Sequence, residues 1–339
     1  MNYMNPLNHS NQTPALLAGA QPVGVGSSGA ALLAEVEDAL RRVLPQDDVL
    51  TDGARHLVLQ GGAKRARPLL CAHAAHLCSL SEAEVVPLAT AVELIHSASL
   101  LHDDVVDEGL LRRGRATVNA REGNGFAVLA GDLVLVRALV LLDSSVLMRA
   151  ALRAVDRMTH AALLELRARG NVDFTLRRWR EMAEGKTGAL FGLCGELPAL
   201  VSGDEVRAWR LQRAFSLFGI AFQIADDLLD LVGGAGKPRY ADVREAQPSF
   251  PLLLACSLDE SWKRELSSLW QGGIPDEGRI AALGERALAL GVWELAIDEA
   301  RACVDDARAA LGPDRDQPPL VQVLRWADGL VTDVLRRAA

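Results

Sequence analysis

Two Asp-Asp-x-x-Asp pentads constrain this chain more than any other feature: Asp103-Asp104-Val-Val-Asp107 and Asp226-Asp227-Leu-Leu-Asp230. Each closes an apolar run of helical period. At about 100° per residue, the first and last aspartates of a pentad stand one turn apart on one helix face. His96 falls on the same face as Asp103, within ~20° of it on the wheel. Like charges crowded on an apolar helix are costly unless something neutralises them, and a hard divalent cation with oxygen ligands does so. Two such helices facing each other across a bundle would present six carboxylates to one cavity. Magnesium keeps several waters and takes one or two carboxylates plus substrate phosphates. The paired clusters therefore point to magnesium ions clamping a diphosphate, not to one caged structural metal.

The rest of the chain agrees with a helical bundle. Leu32, Leu33, Val36, Leu40 and Val43 form one stripe, and long Ala/Leu/Val segments follow, broken near 119–125, 169–173, 233–238, 272–275 and 312–319. No stretch alternates with the two-residue period of a strand, and aromatic residues are only 4% of the chain. The expected fold is all-α: one domain over residues 31–339, with roughly ten or more helices. Residues 1–30 carry no Asp, Glu, Lys or Arg and read as a flexible tail. Gly24 to Gly29 forms a formal GxGxxG, but Gln21-Pro22-Val23 cannot supply the strand that a dinucleotide fingerprint requires.

A net charge of −8 argues against a nucleic-acid partner. Five scattered cysteines without a CxxC make no disulfide framework and suit a reducing cytoplasm. Cys71, His73, His76 and Cys78 match no zinc spacing and read as positions of a packed helix. The apolar stretch 126–148 is interrupted by Asp132, Arg137 and Asp143, too often for a membrane span.

Cations flank the pentads: Arg112-Arg113-Gly114, Gly62-Ala-Lys64-Arg-Ala-Arg67-Pro68, Lys186-Thr187 and Gly236-Lys237-Pro238. Neither lysine site has the glycines of a P-loop. Taken together, these ordered motifs resemble the trans-isoprenyl diphosphate synthases, or polyprenyl synthetases, from about residue 35 to the C-terminus. Gly131-Asp132 and the stretches 219–230 and 242–251 belong to the match. The resemblance implies an isoprenoid synthase fold, a helical bundle around a deep central cavity, and a homodimer. It implies that Asp103, Asp104, Asp107, Asp226, Asp227 and Asp230 hold the Mg2+ ions of an allylic diphosphate. Arg112, Lys186 and Lys237 would bind that diphosphate. Lys64, Arg67, His96 and Arg113 would bind isopentenyl diphosphate, and Thr187 and Gln223 would stand near the developing allylic cation.

The chemistry is consistent with that likeness. Breaking an allylic C–O bond throws charge onto diphosphate, where metal ions and Arg/Lys stabilise it, while an apolar cavity keeps water from the carbocation. Some positions depart from the family pattern: Ala63, His160-Ala161-Ala162, Glu165, Tyr240 and Gln247. They bear on substrate range more than on reaction class. Product length is expected to follow from Ala98 and Ser99, one turn (~6 Å) before Asp103. Both are small where short-chain members of the family carry rings. With Leu139 as the opposite wall, an open shaft suits an octaprenyl-like product. A class I terpene cyclase would pair its Asp-rich helix with an Asn/Ser/Glu triad, and an inert partner subunit would have lost its carboxylates. Neither fits two intact pentads as well.

Overall fold

The computed structural model describes residues 27–60, 65–112, 114–233, 239–272 and 276–338. Of the tail expected over residues 1–30, residues 1–26, with the start of the GxGxxG match, lie outside them, as do Gly62, Ala63, Lys64, Arg113, Gly236 and Lys237; residues 27–30 instead open the first helix. Helix dominates the described residues, and strand is confined to a hairpin of Leu111–Arg112 with Arg115–Ala116. Two residues per strand are too few to leave an alternating pattern in the sequence.

The N-terminal half contains α1 (Ser27–Val43), α2 (Val49–Val58), α3 (Ala66–Leu77), α4 (Glu82–Val106), α5 (Val118–Glu122), α6 (Asn124–Val140) and α7 (Ser145–Ala168). After α8 (Leu176–Ala183), a π-helical turn, Glu184–Gly188, leads into α9 (Ala189–Val201) and then α10 (Glu205–Val232). The remainder is α11 (Ala241–Arg244), α12 (Phe250–Leu258), α13 (Glu260–Gln271), α14 (Glu277–Ala289), α15 (Val292–Ala310) and α16 (Pro318–Ala338). The breaks fall where the sequence punctuates them. Gly233, for example, ends α10 at φ +73°, a conformation that suits a residue without Cβ.

α4 and α10 are apolar almost all round because both are core helices. By length and composition α4 could cross a membrane, yet 67% of its most apolar window is buried inside the protein. α10 packs on α9 and α15, α9 also on α3 and α7, and α4 on α6 and α3. Leu40, Leu94, Leu101, Val134, Phe215 and Leu228 belong to the principal core; a smaller core gathers Tyr240, Trp262, Leu266 and Leu283 from α11–α14 and the turn before them. Cys71 and His73 are buried on α3, and burial pushes the His73 imidazole down to about 4, as a packed helix demands.

Arg65, inside the basic segment before α3, is structural. Its buried guanidinium donates to Glu37 of α1 (2.6 Å), Glu93 of α4 (2.6 Å) and the Val58 carbonyl of α2 (2.8 Å). Three helices are thereby fixed around the start of α3.

Candidate active site

Close packing of α9 and α10 positions the chemistry. A Cβ on Gly188 would lie 2.7 Å from Ser216 Oγ, and one on Gly219 would lie 2.7 Å from Gly188 Cα. Only glycines allow that approach. It brings the Thr187 hydroxyl to the side-chain carbonyl of Gln223, to which it donates at 2.7 Å. Lys186 and Thr187 sit on the π-helical turn, an irregularity that frequently marks functional sites.

Gln223 in turn donates to Asp227 Oδ1 at 2.9 Å, while Trp179 Nε1 (3.1 Å) and the Phe250 amide (2.9 Å) donate to Asp227 Oδ2. The Trp179 and Phe250 rings pack with centroids 4.7 Å apart. Burial pushes the Asp227 carboxyl up to about 7; Asp226 and Glu165 add to the rise, and the Phe250 and Gln223 hydrogen bonds oppose it. Asp226, Asp227, Gln223, Trp179, Met182 and Lys186 share one cavity of about 170 Å³ with Asp107 from the end of α4. The structure thus brings residues of both pentads to a common wall.

The three aspartates of the first pentad differ in surroundings. Asp107 lines the cavity and pairs with Arg169. Asp103 is half-buried, and burial pushes its carboxyl up to about 6. Lys186 opposes that rise, while Glu165 and Asp107 reinforce it. Asp104 instead turns into the protein. It takes the Arg112 guanidinium at 3.0 Å and 2.7 Å on Oδ1, and both side chains are buried. Asn119 Nδ2 donates to the Asp104 carbonyl (3.1 Å) and the Gly109 carbonyl (3.0 Å), and Thr117 Oγ1 to the Gly109 carbonyl (2.7 Å). Asp104 and Arg112 thus anchor the 107–119 segment through each other.

In the second pentad, Asp230 is buried and accepts from the Asp242 amide at 2.9 Å, while its carbonyl accepts from the Tyr240 amide at 2.9 Å. It shapes the approach to α11. Tyr240, a departure from the family pattern, adopts φ +62° and places its ring in a notch where Gly284 has no side chain. Two other departures meet: Gln247 Nε2 donates to Glu165 Oε1 at 2.9 Å, and Glu165 Oε2 holds the Lys186 ammonium. Burial works against the Lys186 charge, but Glu165 and Asp103 outweigh it and hold its pKa well above the ordinary lysine range. Ala161 faces Gly185, where an added Cβ would come within 2.7 Å of the Ala161 methyl.

Further from the cavity, Arg67 is half-buried, with its guanidinium 5.3 Å from the Phe191 ring centroid and its Nε without a hydrogen-bond partner among the described residues. His96 is half-buried on α4. Ala98 is 2% exposed and packs in the principal core; Ser99 is half-buried and donates to the His96 carbonyl at 2.8 Å; Leu139 packs partly buried against the core. None of these three lines the cavity of the pentads. Residues that do line it without belonging to any motif of the match are Arg169, Trp179 and Met182. A tryptophan donor, a methionine and an arginine just past a helix end leave no spacing signal. Only the fold puts them there.

Among the described residues no three His, Cys, Asp or Glu side chains converge into a ready-made metal cage. The donor set is nevertheless one for a hard cation: oxygen ligands from two helices, with the Asp103 and Asp227 carboxyls pushed up chiefly by burial and further by neighbouring acids, Glu165 among them in both cases.

Residues 47–285 match the family described as polyprenyl synthetase. An all-trans-nonaprenyl-diphosphate synthase (geranyl-diphosphate specific) of Rhodobacter capsulatus is 36% identical over 69% of this chain and 74% of that protein. The crystal structure of a decaprenyl diphosphate synthase from Rhodobacter capsulatus superposes with a TM-score of 0.84 at 32% identity, covering 91% of this chain and 97% of that one. A polyprenyl synthase from Caulobacter crescentus CB15, complexed with calcium and isoprenyl diphosphate, gives 0.82 at 30% identity over 90% and 95% of the two chains.

Proposed function

The chain belongs to the polyprenyl synthetase family, and from that premise we propose that it condenses isopentenyl diphosphate head-to-tail with an allylic diphosphate to make a long-chain all-trans polyprenyl diphosphate. The observation that carries this reading is the convergence of Asp107, Asp226, Asp227 and Lys186 on one cavity. Asp103, Asp107, Asp226 and Asp227 are the residues to hold magnesium. When bound, the ions screen the charge that develops on the leaving diphosphate.

Lys186 adds a cation to the same leaving group; to do so it exchanges Glu165 for a phosphate oxygen. Thr187 and Gln223, locked to Asp227, present oxygen dipoles toward the side where the allylic cation forms. Trp179 and Met182 keep that face dry. Arg67 and His96, with Lys64 and Arg113, are assigned to isopentenyl diphosphate, whose double bond attacks the cation before a proton is lost. Asp104, Arg112 and Asp230 hold the loops that carry these groups, and Lys237 belongs to the allylic diphosphate.

The catalytic domain takes in residues 31–339, preceded by the first turn of α1 from Ser27, in a cytoplasmic enzyme. Exposed Leu129, Val136 and Val140 form one stripe of α6, suited to a homodimer contact. The test is release of inorganic diphosphate from farnesyl and isopentenyl diphosphates with magnesium. Asp103→Ala and Asp227→Ala are expected to lose several orders of magnitude in rate, as expected for groups that stabilise developing charge. Near-normal turnover in either variant would refute the two-cluster mechanism.

A further inference from the structure

We propose that Arg169, a residue outside every motif, is a diphosphate-binding residue of this enzyme, held in reserve on Asp107 until substrate arrives. The inference rests on the function proposed above. Arg169 caps the C-terminal end of α7, and the next residue, Gly170, turns at φ +71° and donates its amide to the Ala246 carbonyl at 2.7 Å. That bond ties the turn after α7 to the segment bearing Gln247, so the Arg169 guanidinium reaches over the cavity mouth to Asp107.

The charge balance of the cavity gives the residue its role. Among the described residues that line it, Asp107, Glu165, Asp226, Asp227, Asp242 and Glu245 are acidic, and Arg169 and Lys186 are basic. Lys186 is already engaged by Glu165, and Arg112 is buried against Asp104. Arg169 is the lining cation nearest solvent, 39% exposed, on a carboxylate that is itself 21% exposed. An ion pair so exposed is worth little and exchanges readily. A planar guanidinium matches two phosphate oxygens at once, whereas Gln247 offers no charge at that edge. Were Asp107 to hold metal with the incoming diphosphate, its hold on Arg169 would weaken, leaving the guanidinium free to pair with the phosphate.

The test is calorimetric binding of inorganic diphosphate with magnesium to the full chain, with R169Q and R169K compared to wild type. Loss of a charge-assisted bidentate contact should weaken binding about 10- to 100-fold in R169Q. R169K should fall between, and the melting temperatures of all three should stay close. In turnover, R169Q should raise KM for the allylic diphosphate and leave that for isopentenyl diphosphate unchanged. If R169Q binds as tightly as wild type, or R169K is as weak as R169Q, the assignment is wrong. If wild type itself binds no magnesium diphosphate, the proposed function fails first.

Discussion

Replacing Asp104 by Ala separates a structural aspartate from its metal-facing neighbours. Asp104 and Arg112 are 2% and 7% exposed at the side chain, and the guanidinium meets the carboxylate with two nitrogens. Removing one partner of such a buried pair leaves an uncompensated charge and costs ~3–5 kcal/mol. At an unfolding entropy of ~2.1 cal/mol/K per residue, a chain of this length gives ~0.7 kcal/mol/K, so the melting temperature should fall by ~4–7 °C. Asp107→Ala, whose pair with Arg169 is partly exposed, should cost at most ~1 kcal/mol. Scanning calorimetry without metal reads both. The double variant Asp104→Leu/Arg112→Met should recover most of the loss, because apolar groups of similar volume replace a buried pair at little cost. Were Asp104→Ala to melt like wild type while losing as much magnesium-dependent turnover as Asp107→Ala, the anchoring role would be refuted and Asp104 would belong with the metal ligands.

Asp227 is pushed up to about 7, above the unfolded value of 3.8, so the folded state binds the extra proton and this group's contribution to stability falls as pH rises from about 4 to about 7. Asp227→Asn, which mimics the protonated form, should therefore gain in melting temperature relative to wild type between pH 5 and 8 without metal; a pH-independent difference would contradict the assignment. Ser99→Phe should shorten the product, read by mass, because Ser99 is half-buried and its hydroxyl donates back along its own helix to the His96 carbonyl. Ala98→Tyr should instead destabilise, since Ala98 is 2% exposed in a packed core and overpacking costs ~1–3 kcal/mol. Gly219→Ala should cripple turnover by pushing α10 off Gly188, separating Thr187 from Gln223; unchanged rates would show that their hydrogen bond is dispensable.

The helices, the pentads and the Lys186-Thr187 and Gln223 positions are legible in sequence because they rest on period and local spacing. The division of labour within a pentad is not. Asp103, Asp104 and Asp107 are equivalent by type, and only the return of the 111–116 hairpin shows that Arg112 claims Asp104. Likewise Arg65 resembles its neighbours Lys64 and Arg67 until α1, α2 and α4 close around it. Glu165 and Gln247 read separately as departures, whereas in space they form one chain of contacts with Lys186. Trp179 and Arg169 carry no motif and enter the site through the packing of α8 and the tie from Gly170 to Ala246. Ala98, Ser99 and Leu139 are alike in being short or aliphatic, and only the fold shows that Ala98 is packed in the core while Ser99 and Leu139 stay half-buried.

The most direct measurement is a mass spectrum of the products made from farnesyl diphosphate, excess isopentenyl diphosphate and magnesium. The expected result is a ladder of linear prenyl diphosphates separated by single five-carbon units and ending at octaprenyl-like length, abolished by chelation. A cyclised hydrocarbon lacking diphosphate, or recovery of both substrates unchanged, would contradict it.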